Sequence, residues 1–327
     1  MSKGGSLALV VALLVGLVRP AAAQETITDD KSFEVGIWVQ DLYDLSVADG
    51  SFSADIWLWS RGIHPTREPL KTMQFVNLTS ARENGLYQQQ KKGNIYWAQR
   101  LVQGKFRYGW DVSNYPFDRH SLKIVIDEGL DDTTAFKYIV DSRGSDYYNK
   151  INLGGWRITG FKVEGRPAQY NTTFGNPALA YDNRSLYPEI IVTLDIERDE
   201  LMSFLKMLSI LLIAFGLSLL TYLLPGDAMD ARLGLVVGAI FAGAFNMREA
   251  SAVLGADQGL TLVDQIHVAA LLIVLGATVA AVKSRRMIHA GRTENEVKRF
   301  NYYCLSAAVV AFAVAGSVLI AIAIQQG

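Results

Sequence analysis

The strongest constraint on the fold of this chain is an abrupt change at Leu201, where a polar sequence gives way to a mostly apolar one. Four apolar stretches follow, and each is long enough to cross a bilayer as a helix, which takes about 20 residues. They lie near residues 201–224, 231–254, 260–282 and 302–324. The sequence therefore predicts an all-α, four-helix transmembrane domain over residues 200–327, preceded by a separate domain.

The charges between the third and fourth stretches indicate how these helices are oriented. Six basic residues lie there against two acidic ones, Glu294 and Glu296. The basic residues are Lys283, Arg285, Arg286, Arg292, Lys298 and Arg299. Because short basic links stay in the cytoplasm, this link of about twenty residues is predicted to be cytoplasmic, with the preceding domain and the carboxy terminus outside.

The first residues have the features of a secretory signal. Lys3 precedes an apolar stretch from Leu7 to Val18, and a run of small residues ends at Ala23. This pattern predicts cleavage after Ala23, so that residues 1–23 are a signal peptide, with an uncleaved anchor as the alternative. A signal peptide agrees with export of the domain at residues 24–199.

Residues from about Phe33 to Arg198 alternate between apolar and polar side chains, which is typical of β-strands. The predicted strands cover residues 33–42, 53–59, 94–102, 121–126, 156–164 and 187–196. Short strands separated by Gly, Pro, Asn and Asp predict an all-β extracellular domain, an immunoglobulin-like sandwich. The single cysteine, Cys304, lies in the last apolar stretch, so no intrachain disulfide is expected.

The second apolar stretch carries polar and charged residues along one side. At about 100° per residue, six of its positions fall within roughly 80° of one another on a helix. They are Asp230, Gly234, Gly238, Phe241, Phe245 and Arg248. Lipid would penalise both charges, whereas a water-filled axis shared by several subunits would accept them, and apolar rings there could gate it by dewetting. The alternative is a buried bundle helix whose glycines allow close packing.

Several motifs resemble those of one receptor family. Tyr115-Pro116-Phe117-Asp118, after a strand ending at Trp110-Asp111, resembles the signature loop between the sixth and seventh strands of the pentameric ligand-gated ion channels, the Cys-loop receptor superfamily. No cysteine flanks this loop, as in the bacterial branch of the family. The other similar segments are Asp230-Ala231-Arg232-Leu233-Gly234-Leu235 and Ala244-Phe245-Asn246 (pore helix), Thr261-Leu262-Val263-Asp264-Gln265 (third helix) and Phe75-Val76-Asn77 (a strand bordering the agonist site).

The resemblance implies a homopentamer in a bacterial inner membrane, with five copies of Asp230 at the cytoplasmic mouth of an ion pore. Such a ring favours cations, although Ala231-Arg232 is also similar to anion-selective members. Arg232 itself is expected to point away from the axis, toward headgroups or a helix end. Phe241 and Phe245 are candidates for the closed gate, with packing against neighbouring helices as their alternative.

The resemblance also implies a junction that couples the two domains. Asp49, Asp118 and Arg198 would converge at the membrane surface, where one guanidinium could hold two carboxylates. Tyr115, Pro116 and Phe117 of the signature loop would lie beside them. The alternative is a set of three exposed charges that contribute little.

An agonist site between subunits is the third implication of the resemblance. Aromatic side chains would suit an ammonium ligand there. The candidates are Tyr147, Tyr148, Phe174, Tyr181 and Tyr187. Activation by protons is equally open, because the exported domain has many carboxylates as well as His64 and His120.

Other functional classes fit the sequence less well. A formal net charge of −1 without a dense basic stripe argues against a nucleic-acid partner. The chain has no Ser-His-Asp order, HExxH, CxxC or glycine-rich phosphate loop, so we expect no enzyme, cofactor or metal site. The expected partners are further copies of the chain, membrane lipid, permeating inorganic ions, and a small-molecule agonist or protons. A membrane-anchored extracellular ligand sensor or scaffold that does not conduct ions is the remaining alternative.

Overall fold

The amino-terminal part of the chain forms two β-sheets in the computed structural model, which describes residues 27, 30–64, 66–82, 87–176, 184–199, 201–254 and 259–326. The predicted signal peptide at residues 1–23 and the candidate ligand contact Tyr181 lie outside these ranges. Seven of the described strands form one sheet and four form the other. The region is therefore rich in β-structure, as the alternation of side chains predicted.

The larger sheet has the strand order β4-β6-β2-β1-β8, with β5 paired to β6 and β9 to β1, and the smaller has the order β10-β11-β7-β3. A one-turn helix, α1, lies between β2 and β3 at Pro69–Thr72. The strands are β1 Ser32–Ser46, β2 Ser51–Gly62, β3 Met73–Phe75, β4 Leu78–Ala81, β5 Tyr87–Lys92, β6 Ile95–Arg107, β7 Arg119–Glu128, β8 Lys137–Val140, β9 Asp146–Tyr147, β10 Trp156–Tyr170 and β11 Ser185–Arg198.

The inward faces of the two sheets share one apolar core. Val35 and Ile37 of β1 are fully buried in it, as are Ile124 of β7 and Val192 of β11. Because side chains of a strand alternate between its two faces, the residues between these positions point away from the core and are free to be polar. All six predicted strands are present, and each is longer than predicted.

Four long helices follow the sheets. They are α2 Leu201–Leu223, α3 Met229–Leu254, α4 Leu262–His289 and α5 Glu294–Gln326. Each is long and apolar enough to cross a membrane, which indicates a multi-pass membrane protein. The core between the sheets continues into this region through Phe204 and Leu208 of α2 and Ile266 of α4.

The link between the last two helices differs from the prediction. The sequence predicted a link of about twenty residues over 283–301, but helix α4 runs on to His289 and α5 already begins at Glu294. Charged residues such as Lys, Arg and Glu favour helix nearly as well as apolar ones, so the helices extend beyond their apolar parts. Residues 290–293 remain as the turn between them.

Candidate functional site

The six residues of the predicted stripe on α3 form a continuous exposed face of the chain. All six are exposed, Phe241 to 73% and Phe245 to 62%, and the space into which a side chain at Gly234 or Gly238 would project is open. The opposite side of α3 packs against the other helices through buried residues. These include Arg232, Val236, Ala239, Asn246 and Ala250. We call the exposed face the α3 stripe; none of the described residues of the chain covers it.

The composition of the α3 stripe separates it from the other exposed helix faces. On α2 the exposed large hydrophobic residues include Leu212, Ile213 and Leu217, which suit contact with lipid tails, and one basic residue, Lys206, is exposed as well. The α3 stripe instead carries an acid at one end and an arginine at the other. The mean hydropathy of α3 is 1.2, against 2.1, 2.1 and 2.7 for α2, α4 and α5. Lipid is therefore a poor partner for this face.

Arg232 points away from the α3 stripe. It is fully buried, and its guanidinium donates a hydrogen bond to the carbonyl oxygen of Leu224, just beyond the carboxyl end of α2. Basic groups are stabilised at such helix ends, where several carbonyl groups lack partners. This contact is the one expected from the sequence, and it leaves Asp230 as the charged residue of the stripe at this end of α3.

A buried polar relay ties the other side of α3 to its neighbours. His267 of α4 places Nδ1 at 2.8 Å from the carbonyl oxygen of Val263 and Nε2 at 2.8 Å from the amide nitrogen of Asn246. A carbonyl oxygen only accepts, so Nδ1 carries the proton and Nε2 accepts from Asn246. The same amide group donates to the carbonyl oxygen of Met207 on α2 at 2.9 Å. The relay therefore joins α2, α3 and α4.

Sequence reasoning missed the functional interest of this relay. Asn246 entered only as part of a motif, and His267 was not singled out. The signal was nevertheless present, because polar side chains inside apolar spans are rare and turn toward other helices.

At the junction of the two regions, Asp118 and Arg198 form a buried ion pair. Arg198 Nε lies 2.8 Å from Asp118 Oδ1, and its Nη2 lies 3.1 Å from Oδ2. His120 Nε2 lies 3.0 Å from the same Oδ2. The guanidinium also stacks on the ring of Trp156, 4.0 Å from the ring centroid. Asp118, Arg198, His120 and Trp156 are called the junction cluster below.

The pKa of Asp118 reflects two opposing effects. Burial of the carboxyl alone raises its pKa, because a charge loses its hydration. Hydrogen bonds from His120 and Arg198, together with the charge of Arg198, lower the pKa by more than burial raises it. The pKa of Asp118 therefore ends below its ordinary value, and the carboxylate stays charged inside the protein.

Asp49 lies near the junction cluster, but its carboxylate bonds elsewhere. Asp49 Oδ2 accepts a hydrogen bond from Lys105 Nζ at 3.1 Å, and the side chain of Asp49 is 62% exposed. Asp49, Lys105 and Arg198 all line one cavity of about 720 Å³. The sequence predicted that one guanidinium would hold two acids. In the structure the guanidinium of Arg198 pairs with Asp118, and the carboxylate of Asp49 pairs with Lys105. His120 and Trp156 contact the Asp118–Arg198 pair, and the sequence did not reveal either partner.

The signature loop connects the sheets to two helices. Tyr115 and Phe117 each lie with their ring centroids 6.4 Å from that of Phe204 on α2, and Pro116 between them is buried. Earlier in the loop, the carbonyl oxygen of Ser113 accepts a hydrogen bond from the backbone N–H of Leu262 at 2.8 Å. The loop therefore contacts the beginnings of both α2 and α4.

The four predicted aromatic residues of the agonist site that the structure describes fall into two places. Phe174 and Tyr187 contact each other and Tyr170 at the end of the β10–β11 hairpin, with ring centroids 5.4 to 5.9 Å apart. Tyr147 instead contacts Phe161, nine residues before Tyr170 along β10, which is about 30 Å in an extended strand. Within one chain these residues do not form a single site.

Tyr148 lies beside the second of these places. It is exposed and directly follows Tyr147, and its backbone N–H donates to the carbonyl oxygen of Val39.

Two acids lie beneath the aromatic residues of the hairpin. Asp127 of β7 stands directly opposite Glu189 of β11, and the hydroxyl of Tyr170 donates to Asp127. Arg166 Nε donates to Glu189 at 2.8 Å. Burial raises the pKa of Asp127, the hydrogen bond from Tyr170 partly offsets this, and the charge of Glu189 raises it further. No local sequence pattern indicates this pair, because the register between two strands decides which of their residues face each other.

Comparison of the chain with protein-family models and with curated proteins finds no match. Among the described residues no group of three or more His, Cys, Asp or Glu side chains suits a metal ion. The functional interpretation therefore depends on the geometry of the α3 stripe, the junction cluster and the hairpin.

Proposed function

We propose that the chain is one subunit of a homopentameric, cation-selective ion channel, gated by a ligand or by protons and belonging to the pentameric ligand-gated ion channels. In this proposal the two sheets form an immunoglobulin-like ligand-binding sandwich on the periplasmic side of a bacterial inner membrane. The four helices form the pore domain. The motifs of the signature loop and of the second helix support the family, and the geometry described above supports the mechanism.

The observation that carries the proposal is the α3 stripe. It combines charge at both ends, open space at Gly234 and Gly238, and two exposed aromatic rings. Lipid disfavours such a face, and helices α2 and α4 pack on the opposite side of α3, where residues such as Val236 are buried. If several copies of this face surrounded a central axis, their charged side chains would be in contact with water and with each other, and not with lipid.

The chemistry of the stripe suggests how it would conduct. A ring of Asp230 carboxylates at the narrow cytoplasmic mouth would concentrate cations and repel anions. Rings of Phe241 and Phe245 would offer a permeating ion nothing to replace its water, so that a closed pore dewets at their level. Arg248 at the outer end lies next to Glu249, another exposed residue, whose charge opposes its own.

The gating stimulus would reach the pore through the junction cluster. Arg198 ends β11, and β11 carries Tyr187 and Glu189 near the hairpin tip. An ammonium ligand would find aromatic faces and two carboxylates there, and a proton would find the buried Asp127. Either would act on the strand that leads directly into α2 at Leu201.

Ion flux in liposomes tests the proposal. Purified protein should pass cations when exposed to amines or to a pH step, and Asp230→Asn should lower the sodium-to-chloride permeability ratio because each subunit loses one charge. Thr293→Ser, in the turn between α4 and α5 and outside the stripe, is the control without a change of charge and should leave the ratio unchanged. Ligand binding without any flux would instead support the non-conducting sensor, and a closed assembly of other than five copies would contradict the proposal.

A further inference from the structure

His120 is the member of the junction cluster whose type of side chain changes charge between about pH 5 and 8. It lies on β7, and its side chain is only 2% exposed. The ring centroids of Trp110, Trp156 and Tyr108 lie 4.8, 5.3 and 5.9 Å from that of His120. Water shields a charge on this buried ring only weakly, so a proton bound there acts mainly on the groups that face the ring.

The hydrogen bond to Asp118 determines where His120 can take up a proton. Nε2 of the ring lies 3.0 Å from Asp118 Oδ2. A carboxylate oxygen only accepts hydrogen bonds, so Nε2 carries the hydrogen of the neutral ring. A second proton therefore goes to Nδ1, and the ring becomes positive without losing its donor to Asp118.

The groups that face His120 act on its charge in opposite directions. The titratable and charged ones are Asp118, Asp111, Tyr108 and Arg198. Hydrogen bonds from Ser113 lower the pKa of Asp111, burial partly offsets this, and a charge on His120 lowers the pKa as well. The two acids thus favour a proton on His120, whereas the guanidinium of Arg198 opposes it.

Two cations share one carboxylate once His120 is protonated. Arg198 Nη2 lies 3.1 Å from Asp118 Oδ2, the oxygen that His120 also contacts. Without the proton, the charges of Asp118 and Arg198 cancel; with it, the buried cluster has one excess positive charge, which is costly away from water. Arg198 has room to move, because it lines the cavity of about 720 Å³ beside the cluster.

From this geometry we propose that His120 is a proton-binding site that controls the ion pair of Asp118 and Arg198. A proton at Nδ1 weakens the hold of Asp118 on the guanidinium. The end of β11 is then held less tightly to the signature loop, three residues before α2 begins. The proton site does not depend on conduction, but its effect on a pore rests on the proposed function.

Tryptophan fluorescence of the folded full-length protein, followed from about pH 8 to about pH 5, detects this proton. Trp110 and Trp156 contact His120, and a charged imidazole quenches a neighbouring indole more strongly than a neutral one. The wild type should therefore lose intensity in a step as the pH falls. His120→Gln keeps a donor for Asp118 but cannot take up the proton, so the step should disappear. His64→Gln, which removes the other histidine of the β-rich region, is the matched control and should keep the step.

A second variant tests whether the proton and Arg198 oppose each other. Coupling between two sites is reciprocal, so if the proton weakens the contact of Arg198, removal of Arg198 makes the proton bind more readily. In Arg198→Met the fluorescence step should move to higher pH, and Arg198→Gln serves the same purpose if the methionine variant does not fold. A step that stays at the wild-type pH would overturn the proposal. So would a step that persists in His120→Gln, or a wild type without any step.

Ion flux in liposomes separates this inference from the proposed function. Flux that responds to a pH step should lose that response in His120→Gln and keep it in His64→Gln. A fluorescence step in protein that passes no ions supports the proton site and contradicts the channel. A pH response of the flux that is unchanged in His120→Gln shows instead that this proton does not control the junction.

Discussion

Replacing Arg198 by methionine should destabilise the β-rich region substantially. The side chain of Arg198 is 8% exposed and that of Asp118 is 1% exposed, so Arg198→Met leaves a buried carboxylate without its guanidinium. Breaking a buried ion pair by removing one partner costs about 3–5 kcal/mol. Because His120 still contacts Asp118, we expect a loss near the lower end, about 3 kcal/mol.

Intrinsic fluorescence can measure this loss in the full-length protein. All 6 tryptophans precede the four long helices, the last being Trp156, so their emission reports unfolding of the β-rich region. For a unit of this size about 3 kcal/mol corresponds to a midpoint that is lower by roughly 6–12 °C. Asp49→Asn is the control: its pair with Lys105 is exposed, and we expect no measurable shift.

The pH dependence gives a second check on the same pair. The pKa of Asp118 is lowered in the folded protein, so its contribution to stability is present above the ordinary pKa of Asp and is lost as pH falls through the folded value. In Arg198→Met the burial of Asp118 still raises its pKa while the lowering effect of the guanidinium is gone, so the difference between wild type and variant should shrink as pH falls toward and through the ordinary pKa of Asp, about 4. Strict additivity of Asp118→Asn and Arg198→Met in a double-mutant cycle would refute this account of the pair.

Three further predictions concern other parts of the chain. Phe241→Ala should raise baseline ion flux in liposomes without agonist, and a larger effect of Phe245→Ala would place the barrier one turn higher; normal flux in both contradicts a gate on the α3 stripe. Asp127→Asn should raise the fluorescence midpoint at pH 7, because the raised pKa of Asp127 makes its charged form unfavourable. The gain should vanish below about pH 4, where the carboxyl is protonated in the folded and the unfolded protein, and an unchanged or lower midpoint at pH 7 refutes the prediction. Asn246→Ala removes a hydrogen-bond donor worth about 1–2 kcal/mol from His267 and from the carbonyl oxygen of Met207. It should therefore lower the temperature at which heated protein is lost from the folded peak in size-exclusion chromatography. An unchanged temperature would show that the relay does not stabilise the helices.

The parts of the fold that followed from the sequence are those set by local periodicity. Long strands with one buried face, such as β1 and β11, repeat every two residues and were predicted, and so were the apolar centres of all four helices. Strand β5, with the sequence YQQQKK, is exposed along nearly its whole length and shows no alternation. Its position depends on hydrogen bonds to β6, which no local pattern reports.

In the candidate site too, features set by local geometry could be predicted from the sequence and contacts across the fold could not. The exposure of Asp230 and Phe241 on one face follows from helical geometry alone, and the structure places both on the exposed side of α3. Partners across the fold do not follow from spacing. His120 lies two residues from Asp118 on the same edge of the core, but Trp156 joins them only because β10 pairs with β11 beside Arg198.

The contacts at the junction and within the bundle together restrict how α3 can move. Arg198 holds the end of β11 three residues before α2 begins, and Ser113 of the signature loop bonds to Leu262 at the start of α4. A displacement of β11 therefore reaches α2 directly and α4 through the loop. Asn246 binds both helices on the side of α3 opposite the stripe, so α3 has to follow them unless these hydrogen bonds break.

In the proposed channel, opening would then be either a joint tilt of three helices with the relay intact or a rotation of α3 that disrupts it. The Asn246→Ala variant separates these two: it would leave a joint tilt largely unaffected but would make a rotation easier, and so raise flux at low agonist.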